Sequence, residues 1–115
     1  MEKKEKPTVL CASSAYEAKY YFNDRFAALP PAVQSELRIL CTLFTEEVGG
    51  TFAISFENDG SVILETASAE DDFYYDEVSS ALMIGAVRKK RQQLFAQLEL
   101  FYRMFILEVP HAPSY

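Results

Sequence analysis

Five carboxylates and three aromatic rings stand together in Ala69-Glu-Asp-Asp-Phe-Tyr-Tyr-Asp-Glu77. Residues of these types can do three things. Clustered oxygens hold a divalent cation. An acidic rim around rings meets a protein partner. Carboxylates ahead of a helix accept its free amides and oppose its dipole. The calcium-loop spacing fails: with Gly60 as the sixth residue, the first and twelfth positions are Ser55 and Thr66, although Glu57 and Asp59 fit between them. The stretch is therefore read mainly as a helix start, with Asp71 and Asp72 as caps and Asp76 and Glu77 in the first turns. Read as a surface, its candidate partner-binding residues are Glu70, Asp71, Asp72, Tyr74, Tyr75 and Asp76.

Other chemistry finds less support. The one histidine, His111, sits between prolines in the last residues, so a Ser–His or Cys–His pair would need that segment docked. Cys41 falls on an apolar helix face, and Cys11 and Cys41 together read as two reduced thiols rather than a disulfide framework or a metal site. With four glycines in all, the chain has no phosphate-cradling or dinucleotide turn. The reading is of a protein that is not an enzyme and has no cofactor. Arg88-Lys89-Lys90-Arg91 covers all sides of a helix and is read as solvated cations, or as a salt-bridged contact to the acidic stretch. A net charge of −6 argues against nucleic acid and anionic membranes. No apolar run reaches the roughly eighteen residues of a membrane helix, and no signal-peptide pattern opens the chain, so a cytoplasmic setting is expected.

These groups must be positioned by a single domain, since 115 residues, half of them hydrophobic, suit one core. Residues 1–8 read as a flexible tail, 9–108 as one α+β domain and 109–115 as a second tail. Val9, Leu10 and Cys11 form a small strand or a packed extension. Ser14-Ala-Tyr-Glu17 has capping-box spacing and predicts a first helix to about Ala28. Pro31 opens a second helix whose apolar face is Val33, Leu37, Leu40, Cys41, Phe44 and Val48, ended by Gly49-Gly50. Residues 51–57 and 61–67 alternate around Asn58-Asp59-Gly60, a β-hairpin. From about Asp72 to Leu107 there is no proline, and Ile84, Val87, Leu94, Leu98, Phe101 and Phe105 keep a three-four alternation. Such a helix, roughly 50 Å long, exceeds a domain about 35 Å across. It either breaks around residues 85–91 or overhangs and packs on a second copy. The expected fold is helix, helix, β-hairpin, long helix, with the hairpin packed on the helices.

Residues 9–23, Val-Leu-Cys-Ala-Ser-Ser-Ala-Tyr-Glu-Ala-Lys-Tyr-Tyr-Phe-Asn, and residues 40–50, Leu-Cys-Thr-Leu-Phe-Thr-Glu-Glu-Val-Gly-Gly, resemble a family of small Firmicutes proteins catalogued as a domain of unknown function. The hairpin, acidic stretch and final aromatic helix follow in the same order. The resemblance implies a bacterial cytoplasmic setting and brings no activity and no assigned residues.

The functional expectation is a non-catalytic interaction module or adaptor, a homodimer that presents the acidic-aromatic surface to a protein partner. Phe95, Phe101, Tyr102 and Phe105 are candidate anchors of a dimer interface or a pocket. The alternative is a small-molecule binding protein, its pocket lined by Tyr16, Tyr20, Tyr21 and the last helix's rings; a third is a divalent-metal protein.

Overall fold

Residues 8–14 find extended partners on both sides, and that decides the first third of the chain. In a computed structural model describing residues 6–107, strand β1 (Thr8–Ser14) pairs antiparallel with β2 (Lys19–Phe22) and with β3 (Thr51–Phe56), which in turn pairs with β4 (Val62–Ala67). The sheet order is β2-β1-β3-β4. The apolar patch at residues 9–11 is thus strand. The helix expected over residues 14–28 is instead a turn, a second strand and a 3₁₀ turn at Asp24–Phe26. The Ser14 contact forms nonetheless: the Glu17 N–H donates to Ser14 Oγ at 3.3 Å. It closes a tight turn in which Ala18 takes φ 52°. Two ladders outweigh one local cap, because each paired residue satisfies backbone groups that a short isolated helix leaves at its ends.

Helix α1 (Pro31–Val48) begins and ends where its signals stand. Pro31 occupies the first turn, and Gly49 and Gly50 take positive φ beyond the last. At Gly50 a side chain would collide with the Ala67 carbonyl oxygen and the Tyr75 ring. The expected hairpin is β3–β4, its turn closed by the Glu57 and Ser61 backbones.

Register places Cys11, Phe22, Ile54 and Leu64 on one face of the sheet, and Ser13, Tyr20, Phe52 and Thr66 with them. The helices pack on this face. Phe44 of α1 stacks on Phe52 with centroids 4.1 Å apart, and Ser13 Oγ donates to the Cys41 carbonyl at 2.7 Å. The core runs from Leu10, Leu37 and Phe44 through Ile54 and Phe56 to Leu94, Leu98 and Tyr102.

The predicted long helix is two helices. Helix α2 (Glu77–Lys90) and helix α3 (Gln92–Phe101) meet at Arg91, with φ −114° and ψ 30°, and a π-helical turn, Tyr102–Ile106, follows. The chain therefore takes the broken alternative. Tertiary bonds cluster at this place: the Arg91 guanidinium reaches Glu36 Oε2 of α1 at 2.8 Å, and Arg88 donates to the Val62 carbonyl at 3.2 Å. The class is α+β as expected, but two strands precede the first α-helix and the order of elements is strand, strand, helix, strand, strand, helix, helix.

Candidate interaction surface

The acidic-aromatic stretch is a loop fixed from beneath. Tyr16, in the β1–β2 turn, donates its hydroxyl to Asp72 Oδ2 at 2.6 Å and accepts the Ala69 N–H at 2.9 Å. Asp72 Oδ1 also accepts the Tyr74 N–H at 3.1 Å. Asp72 thus joins two turns and does not cap a helix. The cap is Asp76: its Oδ1 accepts the Val78 and Ser79 amides at 3.0 and 3.2 Å, and its Oδ2 accepts the Ser79 hydroxyl at 2.7 Å. These bonds, the Ser79 hydroxyl first, hold the Asp76 carboxyl below the usual carboxylate range. The Tyr16 phenol is pushed up, chiefly by its bond to the charged Asp72. The helix start was read correctly in kind and placed about one turn too early.

The three rings part company. Tyr75 turns inward, where its hydroxyl donates to Ser80 Oγ at 2.7 Å and lies 2.6 Å from Thr66 Oγ1, with the ring against Gly50. It anchors the loop and is not open to a partner as expected. Phe73 and Tyr74 stand in water, 88% and 96% exposed. Glu70, Asp71 and Glu77 are exposed around them. Among the described residues, no three His, Cys, Asp or Glu side chains are grouped to hold a metal ion.

Beyond the loop, α2 turns apolar residues outward. It buries only Ser80 and Val87, whereas Val78 and Leu82 are 69% and 70% exposed. Gly85 lies on the same outer side. A Cβ there would meet nothing within 4 Å among the described residues, whose packing does not require glycine. A mid-helix glycine costs about 1 kcal/mol relative to alanine. Helix α1 lies beside α2 and antiparallel to it: Glu36 near the start of α1 meets Arg91 beyond α2, and Gly50 beyond α1 meets Tyr75 ahead of α2. Its outer side shows Ile39 and Leu43, each about half exposed. Sequence reading missed Val78, Leu82, Ile39 and Leu43. The signal was present, since each pair is spaced by four and falls off the stripe that forms the core.

The four anchors expected on the last helix divide as well. Phe95 and Tyr102 are core residues, and Tyr102 packs on Phe56 with centroids 4.5 Å apart, so neither offers itself to a second chain. Phe101 is half-buried against Phe26 and Phe105, and only Phe105 is exposed. The rings expected to line a pocket do not converge. Tyr16 binds Asp72 at the end of the strands opposite to Phe56 and Tyr102, Tyr20 lies under Arg38, and Tyr21 faces out from the other side of the sheet. A cleft of about 460 Å³ between the β1–β2 turn and α1 has Lys19, Arg38, Glu46 and hydroxyl groups in its lining, with Tyr20 the one ring.

Cys11 and Cys41 are fully buried with their sulfurs 3.6 Å apart. The Cys11 contact and burial push the Cys41 thiol up, away from the nucleophilic thiolate. The cation run is divided too: Arg88 and Arg91 are bonded to Val62 and Glu36, not to the acidic stretch, while Lys89 and Lys90 are exposed. His111 lies outside the described residues. None of the described helices is long and apolar enough to cross a membrane.

A family model described as "Family of unknown function (DUF6145)" matches residues 7–110, nearly the whole chain. The chain belongs to this family. The DUF6145 match spans the sheet, the three helices and the acidic loop together, so the exposed rings lie within the family's domain. No curated protein and no solved structure matches the DUF6145 chain.

Proposed function

We propose that this protein is a non-catalytic interaction module that presents the loop at residues 70–77 to a protein partner, with the outer side of α2 as a second contact surface. The observation that carries this reading is the exposure of Phe73 and Tyr74 on a loop that Tyr16, Asp72 and Tyr75 hold in place. Two adjacent rings held in water gain most by burial against another surface. Because their backbone is already fixed, little ordering has to be offset on binding. The acidic rim of Glu70, Asp71 and Glu77 suits a partner with an apolar pocket and a basic margin, where rim charges speed and orient encounter. Tyr75 and Asp76, which the sequence places among the candidate contacts, act here by positioning. The sealed thiols favour a role without covalent catalysis.

Capture on the immobilised full chain, compared with Phe73→Ser/Tyr74→Ser, tests the reading. Both rings lie outside the core, so the variant is expected to melt with the parent while losing the captured partner. Retention of every captured protein by the variant would sink it.

A further inference from the structure

We infer that the outer face of α2 pairs with α2 of a second copy of this chain, antiparallel, about a two-fold axis near Leu82 and Gly85. The inference rests on the interaction reading in taking this side of α2 as a contact surface, and it goes further by naming the occupant.

Three observations converge on it. Val78, Leu82, Gly85 and Lys89 fall within about 60° of arc at 3.6 residues per turn, opposite the attachment through Ser80 and Val87. The stripe is apolar in its middle and, among the described residues, unpartnered in its own chain. Gly85, which no packing within the chain demands, leaves room at the centre for another helix to approach closely.

Charge decides which helix. The first turn of α2 is acidic, with Glu77 exposed and Asp76 at the cap, and the last turn is basic, with Lys89 and Lys90 exposed. A parallel copy would set like against like. An antiparallel copy brings Glu77 within reach of the partner's Lys89, and the two-fold repeats that pairing at the other end. Helix dipoles also oppose favourably in this arrangement. The surface is complementary to itself in one orientation only. The loops carrying Phe73 and Tyr74 lie at the two ends of such a pair, beyond its apolar centre.

Light scattering of the full chain over a dilution series measures the association. The parent is expected to dimerise and to loosen in high salt. Gly85→Leu, which places a good helix former in open space, should leave the monomer's fold intact and weaken the dimer by about tenfold or more, because each substitution acts twice across the two-fold. Glu77→Lys alone and Lys89→Glu alone should each dissociate. Mixing those two variants should restore a dimer, since every pair is then opposite in sign.

A chain monomeric at all concentrations overturns the inference, as does a dimer indifferent to Gly85→Leu and to both charge variants. If the chain is monomeric but still captures a protein through Phe73 and Tyr74, the inference fails and the interaction reading stands. If the dimer persists while capture is indifferent to those rings, the reading of the loop fails alone.

Discussion

Helices α1 and α2 lie side by side on one face of one sheet, yet they are held by different forces. Helix α1 buries Leu37, Leu40, Cys41, Phe44 and Thr45 and is part of the core. Helix α2 buries Ser80 and Val87, and its ends are fixed by polar bonds: the Asp76 cap and the Tyr75–Ser80 contact at one, and Arg88 on the Val62 carbonyl at the other. The difference shows that a thin inward stripe, here Ser80, Met83, Ile84 and Val87, suffices when caps and side-chain bonds orient the element. It also shows what such an element can do with its apolar residues. They are spare for contact with something else.

The contrast can be broken most directly by stability. Phe52→Ala removes the ring that stacks on Phe44 and should cost about 3–5 kcal/mol in denaturant unfolding. Leu82→Ser, on the exposed side of α2, should stay within about 0.5 kcal/mol by the same measurement. Comparable losses at both positions would mean that α2 is a core helix after all. Gly50→Ala tests the seam between the two regions. The new methyl group meets the Ala67 carbonyl oxygen and the Tyr75 ring from a left-handed backbone, and a loss of about 2–3 kcal/mol is expected.

Tyr75→Phe sharpens the comparison by keeping the ring and removing the hydroxyl that Ser80 and Thr66 share. About 1 kcal/mol should be lost, with faster amide exchange confined to α2 and its loop. The smallest effect is expected from pH. Because Asp76 is held below its unfolded carboxyl range, its contribution is complete above that range and is lost as pH falls through the lower folded value. An acid titration followed at the first-turn amides of α2 should show this. Asp76→Asn, which keeps a capping oxygen without the titrating group, should flatten it.

The same division explains what could be read from sequence. Helix α1 was legible to its ends because its start, stop and apolar face are local signals. The β3–β4 hairpin was legible because Asn58-Asp59-Gly60 sits between alternating runs. The segment 14–28 was not, since Ser14 and Glu17 do make a capping contact and only pairing with β3, nearly forty residues away, turns it into a strand turn. The acidic stretch was legible as a helix start, but Asp72 is diverted by Tyr16, 56 residues distant, which leaves Asp76 to cap. The break at Arg91 carries no proline or glycine, and its side chain is engaged by Glu36 of α1, 55 residues distant. Aromatic content alone could not say that Phe95 and Tyr102 face inward while Phe73 and Tyr74 face out.

The Arg91 break has a further consequence, in the language of partial opening. Helix α3 is tied to the core through Leu94, Phe95 and Leu98, so it separates from the sheet only when the whole domain unfolds. Helix α2 ends where α3 begins, and Arg91 links them through its backbone, its N–H donating to the Val87 carbonyl and its carbonyl accepting the Phe95 N–H. Lifting α2 away as a unit would break a cap, a few polar bonds and the core contacts of Met83, Ile84 and Val87, fewer than α3 would lose. A domain built this way is expected to show two free energies of opening rather than one. The smaller belongs to the element that carries the exposed surface, so any partner that binds there also sets how often it opens.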